Sequence, residues 1–467
     1  MKKVPIAMII ALMLWLAYLS PANAMEETIL KAGRFGKVHI YRQQPQPRHV
    51  VLFVSGDGGW NLGVVDMART LAGLDALVVG IDIVHYLHQL GKSNAACVYP
   101  AADFESLSKF VQKSLNYRDY VQPVLVGYSS GAALVYALIC QAPANTFKAA
   151  LSLGFCPDLP LARPPCKGSG LTWTTGPKKG IFLFEPTRHL QAPWTVFQGE
   201  IDKVCDARTT REFVARVPGA QLVMLPKVGH GFSVARNWLP QFRKAFLHLA
   251  QTAEPVADKG LDDLPLVEVP ATSGHRNQLA VLITGDGGWA GIDQAVAGQL
   301  ASRGLDVVGL NSLKYFWSPR TPQEASRDLG RILKHYLKTW QKEGAVLAGY
   351  SLGADVLPFM AVRLPADLRA RVRLIALLAP SHETAFEFHL SDWMGAGSRG
   401  TQYPLRPELQ KLQNLPTLCF YGKEERDTLC RDPLPPSVTV IRMDGGHHFD
   451  GAYATIAGRI IKALETH

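Results

Sequence analysis

The sequence predicts an α/β protein of two tandem domains, each a doubly wound, mostly parallel sheet. Three observations predict it. Short continuous apolar runs alternate with helical patterns in both halves of the 467-residue chain. One ordered set of Gly-, Ser- and His-bearing motifs occurs twice. Each Gly-Xaa-Ser-Xaa-Gly motif stands where an apolar run meets a helical pattern. Continuous apolar runs separated by helices suit parallel strands covered on both faces.

In the first half, the run Val50 to Val54 leads into Gly56-Asp57-Gly58-Gly59-Trp60, and Leu77 to Ile83 follows one helix later. Val124 to Val126 enters Gly127-Tyr128-Ser129-Ser130-Gly131, with Ala132 to Ile139 as the helix beyond. Trp194 to Phe197 then leads to a loop around Asp202, and Gly229-His230-Gly231-Phe232 closes the set. The second half repeats the order. Leu279 to Ile283 precedes Gly285-Asp286-Gly287-Gly288-Trp289, and Val307 to Leu310 follows. Ala345 to Ala348 enters Gly349-Tyr350-Ser351-Leu352-Gly353, with Ala354 to Val362 as its helix. Thr417 to Tyr421 leads to Glu425 and Asp427, and Gly446-His447-His448-Phe449 ends the series. The offset between halves drifts from 229 residues at the first motif to 217 at the histidines, as loop insertions and deletions on one scaffold would produce.

Ser, then acid, then His is the chain order of enzymes with a nucleophile elbow, so each domain is expected to be α/β-hydrolase-like. The elbow is a tight strand-to-helix turn with small residues where the backbone crosses itself. It lifts the Ser hydroxyl to a helix N-terminus, where N–H groups favour developing negative charge. Ser351 and His447 are the expected nucleophile and base of the second domain. Counting back from Cys makes Asp427 its acid, while counting forward from Gly makes it Glu425; Asp427 is favoured and Glu425 stays open. Ser129, Asp202 and His230 form a second set in the first domain. His448 is the weaker histidine, because Gly231 stands at its counterpart. Oxyanion donors are expected from the backbone of Asp286 or Gly287 and from Leu352. The glycines fit neither the dinucleotide fingerprint nor a P-loop, and the cysteine spacings do not suggest zinc. No cofactor or metal is expected.

The chain is divided as a signal peptide over 1–24, a first domain over 25–250, a linker over 251–265 and a second domain over 266–467. Lys2 and Lys3 precede an apolar stretch from Val4 to Leu19 and then Ala22-Asn23-Ala24, an export signal cleaved after Ala24. The linker is polar, acidic and bears Pro and Gly. Seven cysteines in an exported chain leave at least one unpaired. Cys156 with Cys166, and Cys419 with Cys430, are candidate loop closures, and Cys140 is expected as a buried thiol. Net charge is +10, and Lys2 and Lys3 carry two of those charges, which leaves +8 beyond Ala24. A basic exported protein is drawn to anionic lipid, so peripheral membrane contact is expected. Basic residues interleaved with aromatics are missing, which excludes single-stranded nucleic acid as a partner.

At these motifs, and at Leu313-Lys314-Tyr315-Phe316-Trp317-Ser318-Pro319-Arg320-Thr321-Pro322 and Phe386-Glu387-Phe388-His389-Leu390-Ser391-Asp392-Trp393, the chain resembles the VirJ/AcvB family of bacterial virulence factors. The longer, AcvB-like members share its signal peptide and two halves. The resemblance implies a periplasmic hydrolase that removes the aminoacyl group from aminoacyl-phosphatidylglycerol, with lysyl or alanyl esters as substrates. Asp286, Trp289, Arg320, Glu387 and Asp392 are the substrate-binding residues that reading implies, the carboxylates facing a substrate ammonium. The first half lacks both distinctive segments, which makes Ser351 the principal nucleophile. Its own triad is then either a second centre or a vestigial, lipid-positioning one. The competing readings are an exported binding or assembly factor that meets secretion-system proteins, and an esterase or lipase of other substrate.

Overall fold

The computed structural model describes residues 25–251, 261–388 and 401–466. The signal segment 1–24 and Asp392 lie outside the described residues. The chain forms two compact units, one mainly from residues before 252 and one mainly from residues after it.

The first unit contains β1 (Glu26–Ala32), β2 (Gly36–Arg42), β3 (His49–Val54), β4 (Ala76–Ile81), β5 (Val124–Tyr128) and β6 (Ala149–Leu153). A small antiparallel sheet follows, made of β7 (Asp158–Pro160), β8 (Trp173–Thr175) and β9 (Ile181–Phe184). β10 (Trp194–Gly199) and β11 (Gln221–Leu225) return to the main sheet, whose order is β1-β2-β4-β3-β5-β6-β10-β11. β1 and β2 pair antiparallel, and every pairing from β4 onward in that order is parallel.

The second unit repeats the plan without the leading hairpin. Its strands are β12 (Leu266–Val269), β13 (Gln278–Ile283), β14 (Asp306–Leu310), β15 (Gly344–Tyr350), β16 (Val372–Leu378), β17 (Glu383–Thr384), β18 (Tyr403–Pro404), β19 (Thr417–Gly422) and β20 (Val438–Met443). The main sheet runs β12-β14-β13-β15-β16-β19-β20, with only β12 antiparallel. In β13, Leu279, Val281 and Ile283 enter one buried cluster, while Ala280 and Leu282 enter another. Alternate side chains point to opposite faces of a strand, so an unbroken apolar run fills the core on both sides. Each unit is therefore a doubly wound α/β-hydrolase-type domain, as the motif order predicts.

Two expectations need correction. Leu261 and Leu264, inside the stretch expected as linker, are buried in the second unit's core. Cys156 does not pair with Cys166. The disulfides among the described residues are Cys97–Cys166, Cys156–Cys205 and Cys419–Cys430. Folding brings the loop after β6 to the loop after β10, which sit on adjacent strands, and this proximity outweighs nearness in sequence. Cys140 is free and buried, and burial pushes its thiol up to about 12, which makes it unreactive.

Candidate active sites

Each candidate nucleophile occupies the one-residue turn between a central strand and a helix. Ser129 links β5 to the helix Ser130–Gln141 at φ 55°, and Ser351 links β15 to Leu352–Val362 at φ 49°. A non-glycine residue at positive φ is strained, and the surroundings must hold it there. They do so in part through backbone bonds: the N–H of Ser129 donates to Leu153 O, and that of Ser351 to Leu378 O, both at 2.9 Å. The flanking glycines are required by close approach. A Cβ on Gly353 would lie 2.0 Å from Ile283 O, and one on Gly349 would lie 2.3 Å from Gly353 O.

In the second unit, His447 Nε2 is 3.0 Å from Ser351 Oγ, and His447 Nδ1 is 2.6 Å from Glu425 Oε1. The other Glu425 oxygen accepts the Gly422 N–H at 2.7 Å. Burial acts to raise this carboxyl, but the His447 hydrogen bond and the Gly422 N–H outweigh it, so the group stays below the usual carboxylate range. The preference for Asp427 is thus overturned. Its side chain is 92% exposed and pairs with His382 at 2.8 Å, while His447 Nδ1 takes Glu425. Glu425 is the third residue after the strand-ending glycine, the same place Asp202 holds after Gly199.

In the first unit, His230 Nε2 is 2.9 Å from Ser129 Oγ and Nδ1 is 2.9 Å from Asp202 Oδ2. Asp202 is buried and accepts the N–H groups of Val204 and Cys205 at 2.8 and 2.9 Å, together with Gln198 Nε2 at 3.1 Å. Asp202, Cys205 and His230 stand at metal-ligand spacing, but the Cys205 sulfur is committed to its disulfide. Both sets hold a hydroxyl, an imidazole and a carboxylate in line, the imidazole tautomer fixed by the acid.

Two tyrosines that sequence reasoning passed over support the bases. Tyr128 OH donates to His230 O at 3.0 Å, and Tyr350 OH to His447 O at 3.3 Å. The repeated Tyr before each serine was the available signal. His448 Nδ1 lies 3.1 Å from Tyr350 OH. Desolvation, then the neighbouring His447, lowers the His448 imidazole. It does not contact the nucleophile through any of these bonds.

Ser351 opens on a cavity of about 230 Å³ lined by Asp286, Leu352, Asp355, Ser381, Glu383 and Glu387, among others. Asp286 and Glu387 thus lie on the cavity wall, and Leu352 opens the helix behind Ser351, where its N–H has no intrahelical acceptor. Gly287 sits in the turn that the Gly288 N–H closes on Gly285 O. Trp289 and Arg320 are corrections. Trp289 is buried and lies over β14, where a Cβ on Gly309 would meet its ring at 2.0 Å; it anchors the loop to the sheet. Arg320 stacks on Tyr315 at 4.9 Å and does not line the cavity. The Thr321-Pro322 step beside it starts the helix Pro322–Thr339, with Thr321 and Glu324 forming a capping box.

Asp355, four residues after the nucleophile, is a lining carboxylate that sequence reasoning missed. It is buried, its Oδ1 accepts the Ser381 N–H at 2.7 Å, and Ala133 holds its place in the first unit. Burial pushes its carboxyl up to about 7, against the Ser381 hydrogen bonds and the His447 charge. Between about pH 4 and 7 the native state keeps a proton that the unfolded chain has lost, so this group's contribution to stability falls as pH rises. Asp355→Asn retains an acceptor for Ser381 and removes that fall. Urea titrations should show the variant gaining on the wild type between pH 5 and pH 8, by on the order of a few kcal/mol. An equal difference at both pH values would mean that no buried charge forms there.

Several solved structures resemble parts of the chain. A lidless α/β serine hydrolase from Xanthomonas campestris shares 19% identity over 50% of this chain and 97% of its own, with a TM-score of 0.31. A thermophilic esterase from Thermogutta terrifontis shares 18% over 51% and 96%, with a TM-score of 0.34. An esterase domain from Rhodothermus marinus shares 14% over 48% and 97%, with a TM-score of 0.32. No curated protein matches. The family model described as bacterial virulence protein (VirJ) matches residues 48–154 and 277–467, which hold both serine elbows and the whole second triad. Those segments make up well over half of the sequence, and the chain belongs to the VirJ family of bacterial virulence proteins.

Proposed function

We propose that the second unit is a periplasmic serine ester hydrolase that removes the aminoacyl group from aminoacyl-phosphatidylglycerol, with lysyl or alanyl esters as substrates. The observation that carries this reading is a Ser–His–Glu triad opening on a cavity walled by carboxylates. Asp286 and Glu383, with Glu387 3.8 Å from Lys113, would be costly neighbours for an anionic acyl group, and they suit an ammonium. The cavity volume of about 230 Å³ supports the same choice. It falls below the roughly 300–1,000 Å³ of sites for drug-sized ligands, which suits one aminoacyl group.

Ser351 Oγ attacks the aminoacyl carbonyl while His447 Nε2 takes its proton, and Glu425 stabilises the imidazolium. The Leu352 N–H, with that of Asp286 or Gly287, faces the developing oxyanion. His447 then protonates the departing glycerol oxygen, and phosphatidylglycerol leaves. Water attacks the acyl-enzyme, and free amino acid is released as the proton returns to Ser351. Hydrolysis of a lysyl ester turns a lipid of charge +1 into one of −1. No helix among the described residues is long and apolar enough to cross a membrane, and the basic surface would hold the protein to an anionic leaflet through charge.

The test is incubation of purified protein with liposomes containing lysyl- or alanyl-phosphatidylglycerol, followed by measurement of released amino acid. Release is expected, and it should weaken with added salt because attraction to the surface is screened over about 10 Å at 0.1 M. No release from either lipid, alongside turnover of simple esters, would refute the lipid assignment. No turnover of any ester would favour a binding or assembly role.

A further inference from the structure

We propose that Ser129, His230 and Asp202 form a second working hydrolytic centre, one that takes uncharged aliphatic esters. Three observations carry it. The first is that the triad is complete, with both hydrogen bonds at 2.9 Å. The second is how firmly its acid is held. Asp202 receives Val204 and Cys205 N–H groups and Gln198 besides the imidazole, and the Cys156–Cys205 disulfide ties its loop to the end of the neighbouring strand. The strained nucleophile, at φ 55°, is also retained. Strain of this kind persists only where the surroundings over-determine it.

The third observation sets the substrate class. Ile201, Val204 and Val234 are 60%, 68% and 45% exposed, and they are three of the six large hydrophobic residues exposed among the described residues. All three sit on the triad loops. Ile201 precedes Asp202, the Val204 N–H is bonded to Asp202, and Val234 follows His230 by four residues. Aligned on the strand-ending glycines and the triad histidines, the second unit has Glu424, Asp427 and Gly451 at these places. Its Asp355 is Ala133 in the first unit. The two centres therefore share a triad and differ at these three loop positions, which are aliphatic in the first and Glu424, Asp427 and Gly451 in the second, while Asp57 stands in the first where Asp286 stands in the second. Exposed aliphatic side chains gain most from covering an apolar acyl chain, whereas a cation beside them gains nothing.

The reaction balances with water alone. Ser129 Oγ bonds to the acyl carbon as its proton passes to His230, the ester C–O bond breaks, and that proton goes to the leaving alkoxide. Water then adds to the acyl-enzyme, giving a carboxylic acid and restoring the Ser129 hydroxyl.

The test uses the full-length mature protein and p-nitrophenyl esters. A fluorophosphonate probe followed by peptide mass spectrometry should label Ser129 as well as Ser351. In a Ser351→Ala background, p-nitrophenyl butyrate hydrolysis should remain, and adding Ser129→Ala should abolish it. In the same background, butyrate should exceed acetate in kcat/KM by roughly tenfold or more, and Val204→Asp should erase most of that preference. Labelling of Ser351 alone, with no butyrate turnover once Ser351 is removed, would overturn the second centre. Turnover at Ser129 without chain-length preference would overturn its substrate class. Neither outcome touches the reading of the Ser351 site, which is scored on aminoacyl lipid.

Discussion

Ser351→Ala should remove nearly all release of amino acid from aminoacyl-phosphatidylglycerol while leaving the protein folded. The variant deletes one oxygen from a turn whose geometry rests on other groups. The N–H bond to Leu378 O and the glycines at 349 and 353 do not involve the hydroxyl. Alanine at φ 49° carries the same Cβ strain as serine, so the elbow loses nothing in stability that it had before. What is lost is the atom that accepts the acyl group, and the imidazole then has no nucleophile to activate. In the best-studied serine hydrolase such a loss costs on the order of 10⁶ in kcat, with oxyanion donors and binding left to supply the residual rate. Ser129→Ala should change aminoacyl-lipid turnover far less. Matched thermal melts and single-turnover assays on liposomes would read both quantities. The reverse ranking would place aminoacyl-lipid chemistry in the first unit.

The elbows and bases were legible in the sequence because their constraints are local. A strand-to-helix turn with crossing backbones needs small residues at fixed places, and the distances at Gly349 and Gly353 show why no other residue fits. The Phe after each base is equally local. Phe232 and Phe449 are buried, adopt positive φ, and close a turn on Gly229 O and Gly446 O that presents the histidine. The failures were of contacts made between distant segments. Trp289 reads as a site residue because it recurs, yet it recurs to fill the space above a glycine on the next strand of the sheet. Arg320 belongs to a distinctive segment whose neighbours build a ring stack and a helix cap. Cys156 finds Cys205 only once adjacent strands place their following loops together. Asp355 gave a faint signal, an acid on an otherwise apolar helix whose counterpart is Ala133.

The acid of the second triad is the instructive case, since two ways of counting disagreed and the fold separates them. Glu424, Glu425 and Asp427 crowd one short loop, so composition cannot choose. The loop is fixed at both ends, by the strand-ending Gly422 and by Cys430, which is bridged to Cys419. Only the count from the glycine places an acid beneath the imidazole, because the Glu425 carboxylate also takes the Gly422 N–H. Glu425→Gln should therefore lower kcat by roughly 10⁴, the loss seen when an isosteric amide replaces a triad carboxylate and stabilises the wrong imidazole tautomer. The amide oxygen of Gln can still take the Gly422 N–H, so the fold should survive. Asp427→Asn exchanges a solvent-facing partner of His382 and should leave kcat within about twofold, as expected of an exposed ion pair. Both variants would be compared on lysyl-phosphatidylglycerol liposomes at matched protein stability. A large loss with Asp427→Asn and none with Glu425→Gln would restore the count from cysteine and show that the loop rearranges when substrate binds.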